Sequence, residues 1–140
     1  MNRARLASLL RLRRLQEDRA AGELARATAR RDEAGRQVVQ TREALAGVRP
    51  PDAASADVWT ARVAARGALG AAFVDARQLA ELVEGERQAT HRGWQDARRA
   101  TRTVEHLDDK AREQEEREEL RAAQAELDEH AQRRRDRGTR

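Results

Sequence analysis

Arg49-Pro50-Pro51-Asp52 carries the only two prolines of the chain, and reading it decides the fold. Proline lacks the backbone N–H that an interior helical turn needs. It also pushes the preceding residue out of the helical region, so a helix arriving from the N-terminal side stops here. The break divides 140 residues of charged, alanine-rich sequence into a shorter and a longer arm, which together read as a hairpin.

Working outward, charged residues make up 39% of the chain and aromatics only 2%, namely Trp59, Phe73 and Trp94. That is too little large apolar material for a compact globular core, so a rod fits better than a ball. Ala, Arg, Glu and Leu dominate, and they are strong helix formers whose abundance at helical spacing marks a coiled coil or long helix. Disorder is the competing reading. Against it, 29 basic and 25 acidic residues are interleaved to leave a net charge of only +4, and apolar residues recur at helical spacing. There is no cysteine, hence no disulfide framework, thiolate metal site or thiol nucleophile. The leucines of the basic start are interrupted by Arg11, Arg13 and Arg14, which argues against a secretory signal. No stretch approaches the roughly 20 apolar residues needed to span a bilayer, and the chain reads as soluble and cytoplasmic.

In the first arm one series at sevens runs Leu10, Glu17, Leu24, Arg31, Val38, Leu45, and its companion runs Leu6, Arg13, Ala20, Ala27, Ala34, Thr41, Val48. These are the two positions of a coiled-coil seam. The alanines let a neighbouring helix approach closely, while Arg13, Glu17 and Arg31 weaken the seam and help to fix its register. A helix over about 3–47 would be about 66 Å long and would need a partner for its stripe. Residues 48–57 read as loop, with Ser55 or Asp57 available as a helix cap. Gly67 and Gly70 each cost about 1 kcal/mol relative to alanine inside a helix, so 58–70 reads as a short or kinked helix. A long helix follows over 71–137, with a seam at Leu69, Ala76, Val83, Thr90, Ala97, Val104 and Ala111, flanked by Phe73, Ala80, Trp94 and Thr101. After the acidic stretch 113–119, Leu120, Leu127 and Ala131 resume in a shifted phase, as at a coiled-coil stutter.

The expected fold is thus all-α, a single domain formed by a long two-helix antiparallel coiled-coil hairpin with a short or kinked middle helix. A tight fold about the prolines would leave the last 40 or so residues unpartnered, Leu120 and Leu127 among them. With residues 50–85 as the tip, Leu6 and Leu10 instead meet Leu127 and Ala131, Leu45 meets the region of Thr90 and Trp94, and both termini share one end. The length is then about 60 to 70 Å from the helical rise. The same seams are compatible with pairing between chains.

Little in the sequence carries reaction chemistry. His91, His106 and His130 are too far apart along the chain to form a helical metal pair, and read as solvent-facing. No glycine-rich phosphate loop is present. Acidic neighbours such as Asp108-Asp109 and Glu115-Glu116 diverge around a helix and cannot flank a substrate. No catalytic residue, cofactor or metal site is expected. Arginines gather at Arg3, Arg5, Arg11, Arg13 and Arg14 and again at Arg133, Arg134, Arg135, Arg137 and Arg140. Such an end suits an acidic protein surface, a solvated tail, or non-specific contact with nucleic-acid phosphates. Trp59, Val63, Leu69, Ala72 and Phe73 form an apolar patch that either packs the helix entry or binds a partner.

The leucine-rich basic start, the break near residue 50, Trp59, Trp94 followed by Arg98, and the closing Leu127-Asp128-Glu129-His130-Ala131-Gln132-Arg133-Arg134 resemble the FliJ family of flagellar type III export proteins. The resemblance spans essentially the whole chain. It implies a two-helix antiparallel coiled coil similar to the central stalk of rotary ATPases. It also implies a non-enzymatic protein that sits in the export ATPase hexamer, contacts the export gate membrane protein FlhA and exchanges export chaperones, cytoplasmic but peripheral to the membrane at the flagellar basal body. Carried over, the family's gate-binding surface falls on Ala65, Leu69, Ala72 and Ala76. The usual aromatic is absent at Ala65, and Phe73 lies on a different helical face. The ATPase-facing end falls on the paired termini, at Leu6, Leu10, Arg13 and Arg14 with Leu127, Arg133, Arg134 and Arg135. The corresponding stalk of a virulence secretion system and a basic coiled-coil nucleic-acid binder are the alternative readings.

Overall fold

The structure, a computed structural model, describes residues 3–49 and 55–138, with side chains as far as Arg135. Pro50 and Pro51 lie outside the described residues. On either side of them stand the two elements of the fold, α1 over Arg3–Gly47 and α2 over Ala56–Gly138, which pack against each other as a helical hairpin. Both consist mainly of strong helix formers, and each buries one stripe against the other.

The ends of the helices follow from local hydrogen bonding. At the close of α1 the Val48 N–H donates to the Leu45 carbonyl at 3.3 Å, the tighter three-residue closure that satisfies a last-turn carbonyl. Ser55 stands in the N-cap position of α2, its carbonyl accepting the Trp59 N–H at 3.0 Å. Asp57 lies in the first turn, where a carboxylate favours the positive end of the helix dipole.

No separate helix is set off over 58–70: α2 passes through Gly67 and Gly70 as one continuous α-helix. No described glycine has positive φ. Glycine loses more backbone entropy than alanine in a helix but still donates its N–H, so about 1 kcal/mol per position does not break a helix supported on both sides by alanines and leucines.

Contacts sort the chain into two compact units: Met1–Gln16 with Arg98–Arg140, and Glu17–Ala97. In the first, Leu6 and Val104 are buried, Thr101 Oγ1 donates to the Arg13 carbonyl at 3.3 Å, and ion pairs join Arg3 to Glu115 (2.8 Å) and Arg14 to Glu105 (3.1 Å). In the second, Ala27, Ala34 and Val83 form the core, Arg31 meets Glu84 at 3.5 Å, Arg30 meets Glu86 at 3.9 Å, and Arg66 Nη1 donates to the Val48 carbonyl at 3.1 Å. In each unit later residues of α1 pair with earlier residues of α2, so the helices run antiparallel.

Burial follows the sevenfold series. Leu6, Arg13, Ala20, Ala27, Ala34, Thr41 and Val48 are all buried or half-buried, and so are Leu69, Ala76, Val83, Thr90, Ala97, Val104 and Ala111. Their alignment differs from the expected one. Glu115 meets Arg3, so Leu6 and Leu10 do not meet Leu127 and Ala131, and Arg66 rather than Thr90 or Trp94 reaches the end of α1. Leu127 lies 12 residues past Glu115, about 18 Å further along α2 by the helical rise. Every described residue from 116 to 135 is exposed, Leu120 at 71% and Leu127 at 64%. The physical reason is that two isolated leucines on a charged helix gain less from burial than the continuous small-residue seam does, and that seam already spans α1 from end to end.

Two measurements check this packing. Ala27 is 1% exposed, so Ala27→Leu is expected to lower stability by about 1–3 kcal/mol through overpacking, read by urea denaturation. Spin labels at Arg14→Cys and Glu105→Cys are expected at the helix-packing separation of about 10 Å. Labels at Leu6→Cys and Leu127→Cys should be much further apart, and the reverse order would refute this register.

Candidate functional site

Among the described residues no group of histidine and acidic side chains can hold a metal ion, and no helix is long and apolar enough to cross a membrane. Four regions of the sequence reading can now be placed on the surface.

At the N-terminal end of α1, Leu6 is buried and Leu10 half-buried, so both serve the seam first. Arg13 is half-buried, its Nη1 donating to Gln16 Oε1 at 3.1 Å while its Nε is buried without a hydrogen-bond partner. Arg14 is held by Glu105. The residues this helix shows to solvent are Leu12, 50% exposed, and Leu15, 67% exposed. Both lie off the seven-residue series, within the Leu6–Leu15 stretch that the sequence offers for ATPase contact.

On the other helix, Leu127, Arg133, Arg134 and Arg135 are all exposed, and Arg133 pairs with Glu129 one turn back. These residues belong to the part of α2 beyond Glu115. The structure therefore does not bring them to Leu6, Leu10, Arg13 and Arg14, as the shared-end arrangement required. Arg137 and Arg140 lie outside the described side chains.

The expected gate patch is divided. Ala65 is exposed, whereas Leu69, Ala72, Phe73 and Ala76 are half-buried on the side of α2 that meets α1. The Arg77 guanidinium lies 6.0 Å from the centre of the Phe73 ring, a cation–π contact. Ala72 and Ala76 line a shallow groove of about 450 Å³ together with Gln37, Gln40, Thr41, Asp75 and Leu79. Val58, Trp59 and Val63 in the first turns of α2 are 43%, 54% and 50% exposed. Trp94 stacks at a tilt on His91, ring centres 5.9 Å apart, so His91 is not simply solvent-facing.

A further surface was missed in the sequence. On the side of α2 turned away from α1, Thr60, Ala64, Gly67, Ala71, Val74, Gln78, Leu82, Gly85 and Ala89 follow one another at helical spacing, all exposed and all uncharged. In a chain with 39% charged residues such a stripe stands out, and Val74 and Leu82 are its largest members, 50% and 63% exposed. Spacings of three and four residues were the signal, hidden because the heptad series drew attention to the buried face.

The electrostatic centre of the Glu17–Ala97 unit is Glu84. Its carboxylate accepts from Arg87 Nε and Nη2 at 3.0 and 2.9 Å and from Gln88 Nε2 at 3.1 Å, and Arg31 of α1 stands 3.5 Å away. The hydrogen bonds from Arg87, then from Gln88, hold its carboxyl near a pKa of about 2 against an ordinary 4.5. The same bond raises the Arg87 pKa.

With this geometry in hand, the comparison with known families is decisive: the model of the flagellar FliJ protein matches residues 1–140. The chain belongs to the FliJ family. It is accordingly a component of flagellar type III export, in a family of non-catalytic export components. No curated protein matches the chain, and no solved structure does.

The Glu84 cluster gives a pH prediction. The folded carboxyl binds its proton less readily than the unfolded one, so its stabilising contribution is complete above about 4.5 and is lost as pH falls toward about 2. Chemical denaturation between those pH values is expected to show a shallower loss for Glu84→Gln than for the parent. An equal slope in both would mean that the cluster does not favour the folded state.

Proposed function

We propose that this FliJ-family chain is a non-enzymatic stalk of the flagellar export apparatus that engages the hexameric export ATPase through the end of α2 and the start of α1. The observation that carries this reading is the helical stretch 116–135, beyond the Arg3–Glu115 ion pair, with Leu120, Leu127 and Arg133–Arg135 exposed. Apolar side chains and arginines on one projecting helix suit insertion among acidic and apolar surfaces of a ring. Leu12 and Leu15 add apolar surface on α1.

Contacts with the export gate FlhA and with export chaperones are assigned to the exposed side of α2 around Val74, Gln78 and Leu82. Leu69, Ala72, Phe73 and Ala76 already spend part of their surface on α1. The family match favours the flagellar apparatus over a virulence secretion system. Nucleic-acid binding is disfavoured because Arg3, Arg14, Arg30, Arg31, Arg36, Arg87, Arg112 and Arg117 each pair with a carboxylate, which interrupts any continuous phosphate track. The chain would act through contacts that differ between states of the ring, with no bond chemistry of its own.

The test is ATP hydrolysis by the cognate export ATPase with less than one chain per hexamer. Stimulation is expected, to be weakened by salt and by Leu127→Glu but retained in Leu82→Glu. Absence of both stimulation and co-elution would remove the stalk reading.

A further inference from the structure

We propose that residues 116–135 of α2, when no other partner covers them, pair antiparallel with the same residues of a second copy of this chain. Four observations converge on a second copy. The segment directly follows Glu115, which pairs with Arg3 of α1, and every described side chain in it is exposed. It carries two large exposed leucines. These lie on a stripe that reads Glu116, Leu120, Ala123, Leu127, His130, Arg134, whose spacing is the same in both directions about residue 125. The ends of that stripe have opposite charge, acidic over 116–119 and basic over 133–135.

Run antiparallel about residue 125, the stripe complements itself. Leu127 of each copy falls on Ala123 of the other, large against small, and Leu120 falls beside the second copy's His130 and Ala131. Glu116 meets the second copy's Arg134, Glu119 nears its Arg133, and Asp128 nears its Arg121. A parallel pairing would instead stack acid on acid and arginine on arginine. In the antiparallel alignment Glu126 meets its own counterpart and Arg117 nears the second copy's Arg135, both at outer edges where water and salt screen them. The overlap is only about five turns of one helix on another, so the interface is small and the dimer weak.

The pairing occupies residues assigned above to the ATPase, so the dimer and the ATPase complex exclude each other. That consequence rests on the stalk reading, whereas the dimer itself does not.

The experiment uses the full chain without ATPase, so its outcome is separate from that of the hydrolysis assay. Sedimentation from low micromolar to near-millimolar protein is expected to show a monomer–dimer equilibrium that salt shifts to monomer. Leu120→Glu with Leu127→Glu should weaken it by roughly tenfold or more, with circular dichroism unchanged because both positions are exposed. Direction is read from spin labels at single cysteines, possible because the chain has none of its own. At Gln124→Cys the two labels should lie about 10 Å apart, and at Glu116→Cys about 27 Å apart from the helical rise. A monomer throughout, a dimer indifferent to the leucine variants, or short distances at both positions would overturn the proposal.

Discussion

Everything in this molecule depends on one buried line of small side chains. In the Glu17–Ala97 unit it is made by Ala20, Ala27 and Ala34 on α1 with Val83 on α2, in the other unit Leu6 and Val104 are buried, and no larger apolar core exists among the described residues. A helix as charged as α1 gains little by folding alone. Its stability comes from laying that line on a partner, where alanine's short side chain brings the two backbones close enough for dispersion contacts along the whole helix. Because the line is narrow, most described residues of each helix remain at the surface.

Polar groups then decide how the two lines align. Arg14 with Glu105 and Arg31 with Glu84 tie α1 to α2 within their respective units, and Thr101 spends its hydroxyl on the Arg13 carbonyl. Single exposed ion pairs contribute little to stability. Their effect here is selective: a one-turn slip would keep small apolar residues facing each other but would separate these pairs and break the Thr101–Arg13 hydrogen bond. Register is therefore a property of the polar residues, and the small apolar ones would accept several.

The surfaces that remain divide by chemistry. Beyond Glu115, α2 shows leucines spaced among acidic and then basic residues, while the side of its earlier half turned away from α1 is uncharged over nine stripe positions. The expected gate residues shared the seam's phase, and that is why burial claimed part of them: a side chain at helical spacing with the core cannot also be fully offered to a partner.

The sequence by itself determined the helices, the seam positions and the family resemblance, because helix propensity, proline and sevenfold spacing are local properties that need no knowledge of a neighbour. It also led to two errors of a single kind. Gly67 and Gly70 looked like a break because their cost was weighed locally, and Leu120 and Leu127 looked buried because leucine usually is. Only the tertiary structure decided the alignment of the two helices within each unit, and with it which arginines are tied up and that residues 116–135 stay exposed. Alignment is a sum over pairs remote in sequence, such as Arg3 with Glu115, and seams so rich in alanine fit almost equally well at several offsets until those pairs choose one.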